Sequence, residues 1–272
     1  MPISRLGIDT QTVFGMPPME HVDLAANLGC SHISTGLVAI PWRLQRFPAW
    51  SLRDDVSLRR ELAAALRDRG ITISQAEGFS VRPTTNVDNY IPDLDMFAEL
   101  GAQRASGICT EQDTSRALDL LATLADLTAE RGMGFTLEFA PPHAIGNLGE
   151  AHAALIALKK SNVRLVIDAM HFFRSGGTVA ALRALPPDLI GYVQLCDVPR
   201  LPPHDDYLKE ACFERRAPGD GELPLSEFCA ALPATVEVGI EVPALEHAKE
   251  EIQHRDFVKR ATAGARRLLA SH

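Results

Sequence analysis

Two periodicities alternate along the chain. Short runs of branched and apolar residues are separated by longer stretches in which apolar side chains recur every three or four positions. The short runs predict strands at 6–10, 32–36, 71–76, 104–109, 134–139, 164–168, 191–195 and 236–241, eight in all. The longer stretches predict helices at 58–69, 117–131, 148–160, 179–185, 226–232 and 258–269. In 58–69 the apolar positions are Leu58, Leu62, Ala65 and Leu66, with charges opposite. In 117–131 they include Leu118, Leu121, Leu124, Ala125 and Leu127. Gly70, Gly101 and Gly132 stand just past helix ends, where a left-handed C-cap favours glycine.

Strict alternation of strand and helix implies parallel strands joined by right-handed crossovers. Eight such units closing on themselves make a single (β/α)8 TIM barrel. The competing arrangement is an open doubly wound sheet, which would carry a glycine-rich dinucleotide turn after its first strand. Here that strand runs into Ile8-Asp9-Thr10-Gln11, so the barrel is preferred. No low-complexity stretch or linker interrupts the pattern, and residues 1–272 are expected to form one domain.

Composition narrows the class of partner. The chain is 46% hydrophobic and 23% charged, with a formal net charge of −8. An acidic balance opposes phosphate neutralisation, so nucleic acid is not an expected partner. No apolar run approaches the ~20 residues of a membrane span, and no polybasic anchor is present. The opening Met1-Pro2-Ile3-Ser4-Arg5 lacks the apolar core of a secretory signal. The five cysteines (Cys30, Cys109, Cys196, Cys212, Cys229) are scattered, odd in number and without a CxxC pair. They are expected to be buried thiols in a reducing cytoplasm, not a disulfide frame or a zinc knuckle. No interface stripe decides whether the chain forms a homo-oligomer.

The unusual chemistry falls at the ends of the last four strands, where a barrel of this type opens its active site. Glu138 ends the fifth, Asp168 the sixth, Gln194 lies near the end of the seventh, and Glu241 ends the eighth, each inside an otherwise apolar run. Burying an ionised carboxylate without a partner is costly, so each needs a cation or a shifted pKa. One such glutamate would be an ordinary ion-paired residue; four in succession point to a shared divalent ion. Oxygen-rich coordination favours Mn²⁺ or Mg²⁺, with Co²⁺ next and a thiolate-type zinc site disfavoured.

At this point the segments LEFAPPH (137–143), LVIDAMHFFRSGG (165–177), VQLCD (193–197), PGDGELPL (218–225) and IEVP (240–243) resemble the xylose isomerase-like barrels of the sugar phosphate isomerase/epimerase superfamily. The resemblance covers essentially the whole chain and is strongest from Gly134 onward. It implies metal ligation by Glu138, Asp168, Gln194 and Glu241, with Mn²⁺ or Mg²⁺ expected and Co²⁺ or Zn²⁺ as further choices. It assigns His171 to substrate contact or support of the site, and makes Arg215 and Arg216 candidates for holding the substrate. The ketose 3-epimerase branch usually carries His where this chain has Gln194. A Gln there, with Asp197 three residues on, resembles the bacterial 3-dehydroshikimate dehydratase branch. The endonuclease branch uses a three-metal, histidine-rich cluster whose histidines are mostly missing here.

The implied activity is isomerisation or epimerisation of a small sugar or cyclic hydroxyketone, by proton abstraction to a metal-stabilised enediolate. Glu138 and Glu241 are the candidate proton-transfer groups, with His171 as a further catalytic candidate. The alternative is a dehydratase of the 3-dehydroshikimate or inosose type, needing one base and an acid such as His143 or His171. The rival class is a catalytically inert barrel that binds a sugar or a partner protein. His143 and Trp42 are further substrate-contact candidates, each weighed against a structural role. So are Glu77 (mouth or surface ion pair) and Phe172-Phe173 (site wall or packing). Asp197 is a candidate to orient Gln194 or His171. His204, Asp205 and Asp206 have ligand-like spacing but lie in the long segment 199–216, expected to be a solvated loop that can serve as a lid.

Overall fold

In the computed structural model, which describes residues 5–271, the alternating pattern closes on itself. The strands are β1 (Leu6–Ile8), β2 (His32–Thr35), β3 (Thr72–Val81), β4 (Arg104–Cys109), β5 (Gly134–Glu138), β6 (Val163–Asp168), β7 (Ile190–Leu195) and β8 (Val238–Ile240). Each is parallel to the next, and β8 returns to β1 with Gly7 opposite Gly239, giving a closed (β/α)8 TIM barrel. The residues Met1–Ser4, read above as lacking a secretory signal, lie outside the described residues.

The helices are α1 (Pro18–Asn27), α2 (Val56–Arg69), α3 (Ile91–Glu99), α4 (Thr114–Ala129), α5 (Leu148–Leu158), α6 (Ala169–Arg174), α7 (Val179–Ala184), α8 (Tyr207–Phe213), α9 (Leu225–Cys229), α10 (Leu245–Ala248) and α11 (Glu251–Ala270). Periodicity alone misses α1, α3, α6, α8 and α10, which are short and rest on tertiary packing more than on propensity. Helix α1 begins at a Pro-Pro pair and α3 carries a proline in its first turn, so both resemble loop entries until their apolar faces meet the barrel. Where side-chain caps exist they are conventional. Asp55, Asp113, Asn147 and Asp168 each accept a backbone N–H at the start of a helix. Gly70, Gly101 and Gly132 all take positive φ, as expected of their positions.

Strand β3 departs most from expectation. It runs on to Val81, five residues past its predicted end at 76. Its pairing with β4 jumps from Ala76–Ala105 to Phe79–Gly107, so Glu77 and Gly78 form a bulge. Gly78 has φ of 113°, a conformation other residues rarely adopt. Bulges re-aim side chains, and this one turns Glu77 toward the barrel mouth.

Inside the barrel a polar column replaces part of the usual aliphatic filling. Near its lower end Arg104 donates to Glu237 (2.6 Å) and to Ser74 Oγ (2.7 Å), with His32 3.9 Å from Glu237. Above them the buried Tyr192 hydroxyl donates to Asp9 (2.7 Å). This contact needs Gly239 on β8, because a Cβ there would collide with both Tyr192 and Asp9. The five cysteines are unpaired and four are buried. Among the described residues no helix is long and apolar enough to cross a membrane.

Helix α1 docks through His21, whose Nε2 lies 3.0 Å from the carbonyl oxygen of Ile8. Burial lowers the pKa of His21 from 6.5 to about 4. The unfolded chain therefore binds a proton that the folded chain refuses. The stability tied to this group is complete above pH 6.5 and is lost as pH falls toward 4. At full effect it amounts to about 3 kcal/mol. Thermal melts should show Tm falling between pH 6.5 and 4.5, and His21→Gln should flatten that slope; an unchanged slope would assign the acid sensitivity to other groups.

Candidate metal centre and active site

Four strand ends deliver the polar residues to one mouth. Asp168, the last residue of β6, also caps α6 by accepting the N–H of His171 at 2.8 Å. That cap fixes both the carboxylate and the start of the turn that carries His171. His171 Nε2 then lies 3.3 Å from Glu138 on β5, and its Nδ1 lies 2.6 Å from the hydroxyl of Tyr207. With the tyrosine donating, the Nε2 proton faces Glu138. Single ligand atoms of Glu138, Asp168 and His171 all fall within 4.8 Å of one another, and this is the group of metal-binding geometry among the described residues.

Arg215 enters from beyond α8 and is almost wholly buried. One of its terminal nitrogens lies 2.5 Å from Asp168 and 3.3 Å from Glu241, and its Nε donates to the carbonyl of Ala211. Burial alone would raise the carboxyl of Asp168, but Arg215 and His171 outweigh it and hold it below the ordinary carboxylate value. Burial likewise pushes Glu241 well above its usual range. Arg215 offsets this in part, and the charges of Asp168, Glu138 and Asp9 add to it.

The structure places the remaining expected residues as follows. Gln194 sits beside Asp168 in the β6–β7 register, and its Oε1 is buried without a donor. His143 is half-buried near Glu138 and His171; burial lowers its pKa, and its Nδ1 also lacks a partner. Trp42 stands at the mouth, 40% exposed, edge-on to Phe213 of α8. Arg216 is exposed and does not join Arg215.

Several expectations take a different form. Asp197 accepts the N–H groups of Val198, Gly219 and Leu223 at 2.9–3.1 Å, so it builds the 218–225 turn and does not orient Gln194 or His171. His204 pairs with Glu214 (2.6 Å) and Asp206 caps α8, which fastens the long segment; Asp205 is exposed. That segment is no bare loop, because α8 within it presents Tyr207 to the site. Phe172 and Phe173 pack on Phe228 beneath the helices. Glu77 belongs to the mouth. It lines a cavity of about 420 Å³ together with Thr10, Gln11, Trp42 and Glu138. Burial, then Asp9 and Glu138, raise its carboxyl well above the usual value.

Two residues of the site carry little signal in the sequence. Asp9 falls within the strand expected at 6–10, but β1 ends one residue before it. Burial raises it to about 7, against the pull of Tyr192, Gln194 and Ser34. Tyr207 falls within the segment expected to be a solvated loop; the signal for its helix is the Asp206 cap leading into Tyr207-Leu208-Lys209-Glu210.

Glu138, Asp168 and His171 are the ones brought together, and two carboxylates with an imidazole fit a divalent cation; Glu241 stands outside that group, paired with Arg215. Gln194 adds an oxygen that no protein donor satisfies.

Removing Arg215 should expose the cost of this cluster. Arg215→Met leaves Asp168 and Glu241 buried without a counter-charge and should destabilise the metal-free protein by about 3–5 kcal/mol in denaturant unfolding. Adding Asp168→Asn should recover part of that loss. Strict additivity of the two changes would show that the pair is not coupled.

Comparison with solved structures places the fold among known barrels. A structure of the IolI protein with a bound zinc atom superposes with a TM-score of 0.80 at 18% identity, covering 98% of each chain. D-psicose 3-epimerase in the presence of D-fructose gives 0.75 at 16% identity, over 97% of this chain and 99% of that one. The probable 3-DHS dehydratase AsbF of Bacillus anthracis, involved in petrobactin synthesis, gives 0.73 at 14% identity, over 96% and 98%. A comparison with curated protein sequences returns no match. The match to a family as such spans residues 22–258, and the chain belongs to the xylose isomerase-like TIM barrel family.

Proposed function

We propose that the chain is a divalent-metal-dependent isomerase or epimerase of a small hydroxyketone, a ketose or related polyol. Glu138, Asp168, Gln194 and Glu241 would hold the ion, Mn²⁺ or Mg²⁺ by donor type, with His171 at its edge. The observation that carries this reading is the convergence of Glu138, Asp168 and His171 within 4.8 Å at the mouth, beside the unsatisfied Gln194 oxygen. The bound ion would supply Lewis acidity to the substrate carbonyl.

The protein groups divide the remaining work. Glu138 is the residue shared between the cluster and the cavity, and its carboxylate is partly open to solvent. It is placed to take the hydrogen on the carbon next to the carbonyl. His171, held between Tyr207 and Glu138, relays a proton between that carboxylate and a substrate oxygen. Glu241 stands on a different strand and returns a proton to the other face or the neighbouring carbon. Arg215 supplies fixed positive charge as negative charge develops on the substrate. Trp42 screens the mouth from water.

A dehydratase is the second reading, and the Tyr207–His171–Glu138 chain favours it specifically. An imidazole fed by a tyrosine hydroxyl suits protonation of a departing hydroxyl, and one base then suffices. Solution chemistry separates the two. Incubation with Mn²⁺ and a panel of ketoses, inososes and 3-dehydroshikimate in deuterium oxide should give an isomer of one substrate, with no water lost, carrying deuterium in place of a carbon-bound hydrogen. Loss of water from the product would establish the second reading in its place. Glu138→Gln should lower kcat by about 10²–10⁴-fold with a small effect on Tm. Survival of full turnover in that variant would remove Glu138 from the chemistry.

A further inference from the structure

Helices α6 and α8 meet beside the mouth through two rungs. On the inner one, the Tyr207 hydroxyl lies 2.6 Å from Nδ1 of His171. On the outer one, Arg174 grips Glu210. Its Nε donates to one carboxylate oxygen at 3.0 Å, and a terminal nitrogen donates to the other at 2.6 Å. The spacing is the same on both helices, 171 to 174 and 207 to 210, so the rungs stack. The outer rung is shut off from water, with side-chain exposures of 8% and 1%. Arg174 also donates to the carbonyls of Pro199 (2.8 Å) and Arg200 (3.1 Å), where the segment 199–216 begins. One guanidinium thus holds both the entry of that segment and the helix within it.

These contacts close a ring. Asp168 caps α6, and Arg174 ends it. Glu210 carries the ring into α8, where the neighbouring Ala211 carbonyl accepts from Nε of Arg215 at 2.7 Å. Arg215 returns it to Asp168. A buried ion pair is a weak source of stability, since apolar side chains of similar size often serve as well, but it can fix registry. Registry is what α8 lacks by itself, because seven residues are too few to hold a helix in isolation. A slip of one residue would turn α8 by about 100° and carry the Tyr207 hydroxyl off the imidazole.

We propose that Arg174 and Glu210 are positioning residues, whose ion pair sets α8 against α6 and so holds the Tyr207 hydroxyl on Nδ1 of His171 and the Nε2 proton toward Glu138. The inference rests on the part given to His171 above and adds the device that sets it. Burial keeps the Tyr207 hydroxyl protonated, so it donates to Nδ1. A neutral imidazole that accepts at Nδ1 carries its proton on Nε2, and the Glu138 carboxylate 3.3 Å away is an acceptor for it. The fork matters as well as the charge. Arg174 spends four N–H groups on fixed acceptors, a pattern that the ammonium of a lysine does not reproduce.

Nitrogen NMR of the metal-free protein with ¹⁵N-labelled histidine tests this, at about pH 8, above the ordinary imidazole pKa. His171→Gln identifies the His171 signals. Wild type should show one tautomer, protonated at Nε2. Arg174→Lys keeps the charge and Glu210→Gln keeps the shape. Each should admit the other tautomer and shrink the separation of the two ring-nitrogen signals by about half or more. Amide hydrogen exchange across 207–213 should quicken about tenfold or more in both. Tyr207→Phe should mix the tautomers while exchange across 207–213 stays within about twofold of wild type. Either variant of the ion pair serves if the other does not fold. Faster exchange with unchanged His171 signals would make the pair a structural tie only and overturn the proposal. Unchanged exchange in both variants, or a wild type already mixed between tautomers, would overturn it equally. Neither readout uses metal or substrate. Failure of the function proposed above would show separately, as wild-type protein that takes up no Mn²⁺ while its tautomer still follows Arg174 and Glu210.

Discussion

Three carboxylates brought to the ends of β5, β6 and β8 cannot share one buried mouth unless positive charge is brought with them. Arg215 is the part of that charge the chain itself provides. It lies between Asp168 and Glu241, is sealed from solvent, and is anchored through its Nε to the backbone of α8. Much else follows from seating it there. The segment 199–216 must fold down onto the mouth to deliver Arg215. In doing so it brings Tyr207 to His171 and Phe213 to Trp42. Asp197 and its three backbone donors hold the other end of that segment. The charge balance and the shape of the entrance are thus one problem, solved by one stretch of chain.

The fold was legible because a parallel barrel writes a strong pattern. Its strands are buried on both faces and read as short apolar runs, and its longer helices keep a clear apolar stripe. All eight strands lie where the runs fall. The short helices were illegible for the same reason in reverse. Six- to ten-residue segments such as α1, α6 and α8 hold little periodic information, and packing decides them. At the site, Glu138, Asp168, Gln194 and Glu241 stood out as polar letters inside apolar words. Asp9 did not, because an aspartate at a strand boundary resembles a turn residue. Glu77 was ambiguous because a bulge cannot be read from composition; only Gly78 beside it marks the place. Asp197 shows the opposite limit. Its position pointed to side-chain partners, but backbone amides claimed it, and amide donors leave no trace in a sequence.

The polar column below the mouth explains how the barrel tolerates so many ionisable groups on its axis. Arg104 neutralises Glu237 near the lower end, and Tyr192 shields one oxygen of Asp9 above it. Lower in the column His32 Nε2 and Gln75 Nε2 are buried without a partner, and at the mouth Asp9, Gln11, Glu77 and Gln194 each keep a bare acceptor. The bare atoms are more numerous around the cavity and the charged cluster than below them. Their cost, of about 1–3 kcal/mol apiece, is the kind of stability that binding sites forgo and ligands return.

The mouth is therefore divided by strand number. Strands β5 to β8 carry the charged groups, tied to one another by Arg215 and by the cap that Asp168 places on α6. The upper parts of β3 and β4 and the loops after β1 to β4 carry most of the cavity, with apolar walls and Thr10, Gln11, Glu77 and Ser80 among its polar lining. Glu138 is common to both halves, lining the cavity while reaching His171. Pairing on the charged side keeps that carboxylate in place, so a ligand of the cavity meets Glu138 on one side and Gln11 and Glu77 on the other. Changes confined to the β1–β4 loops would then alter what the cavity accepts without disturbing the charge balance that holds the centre together.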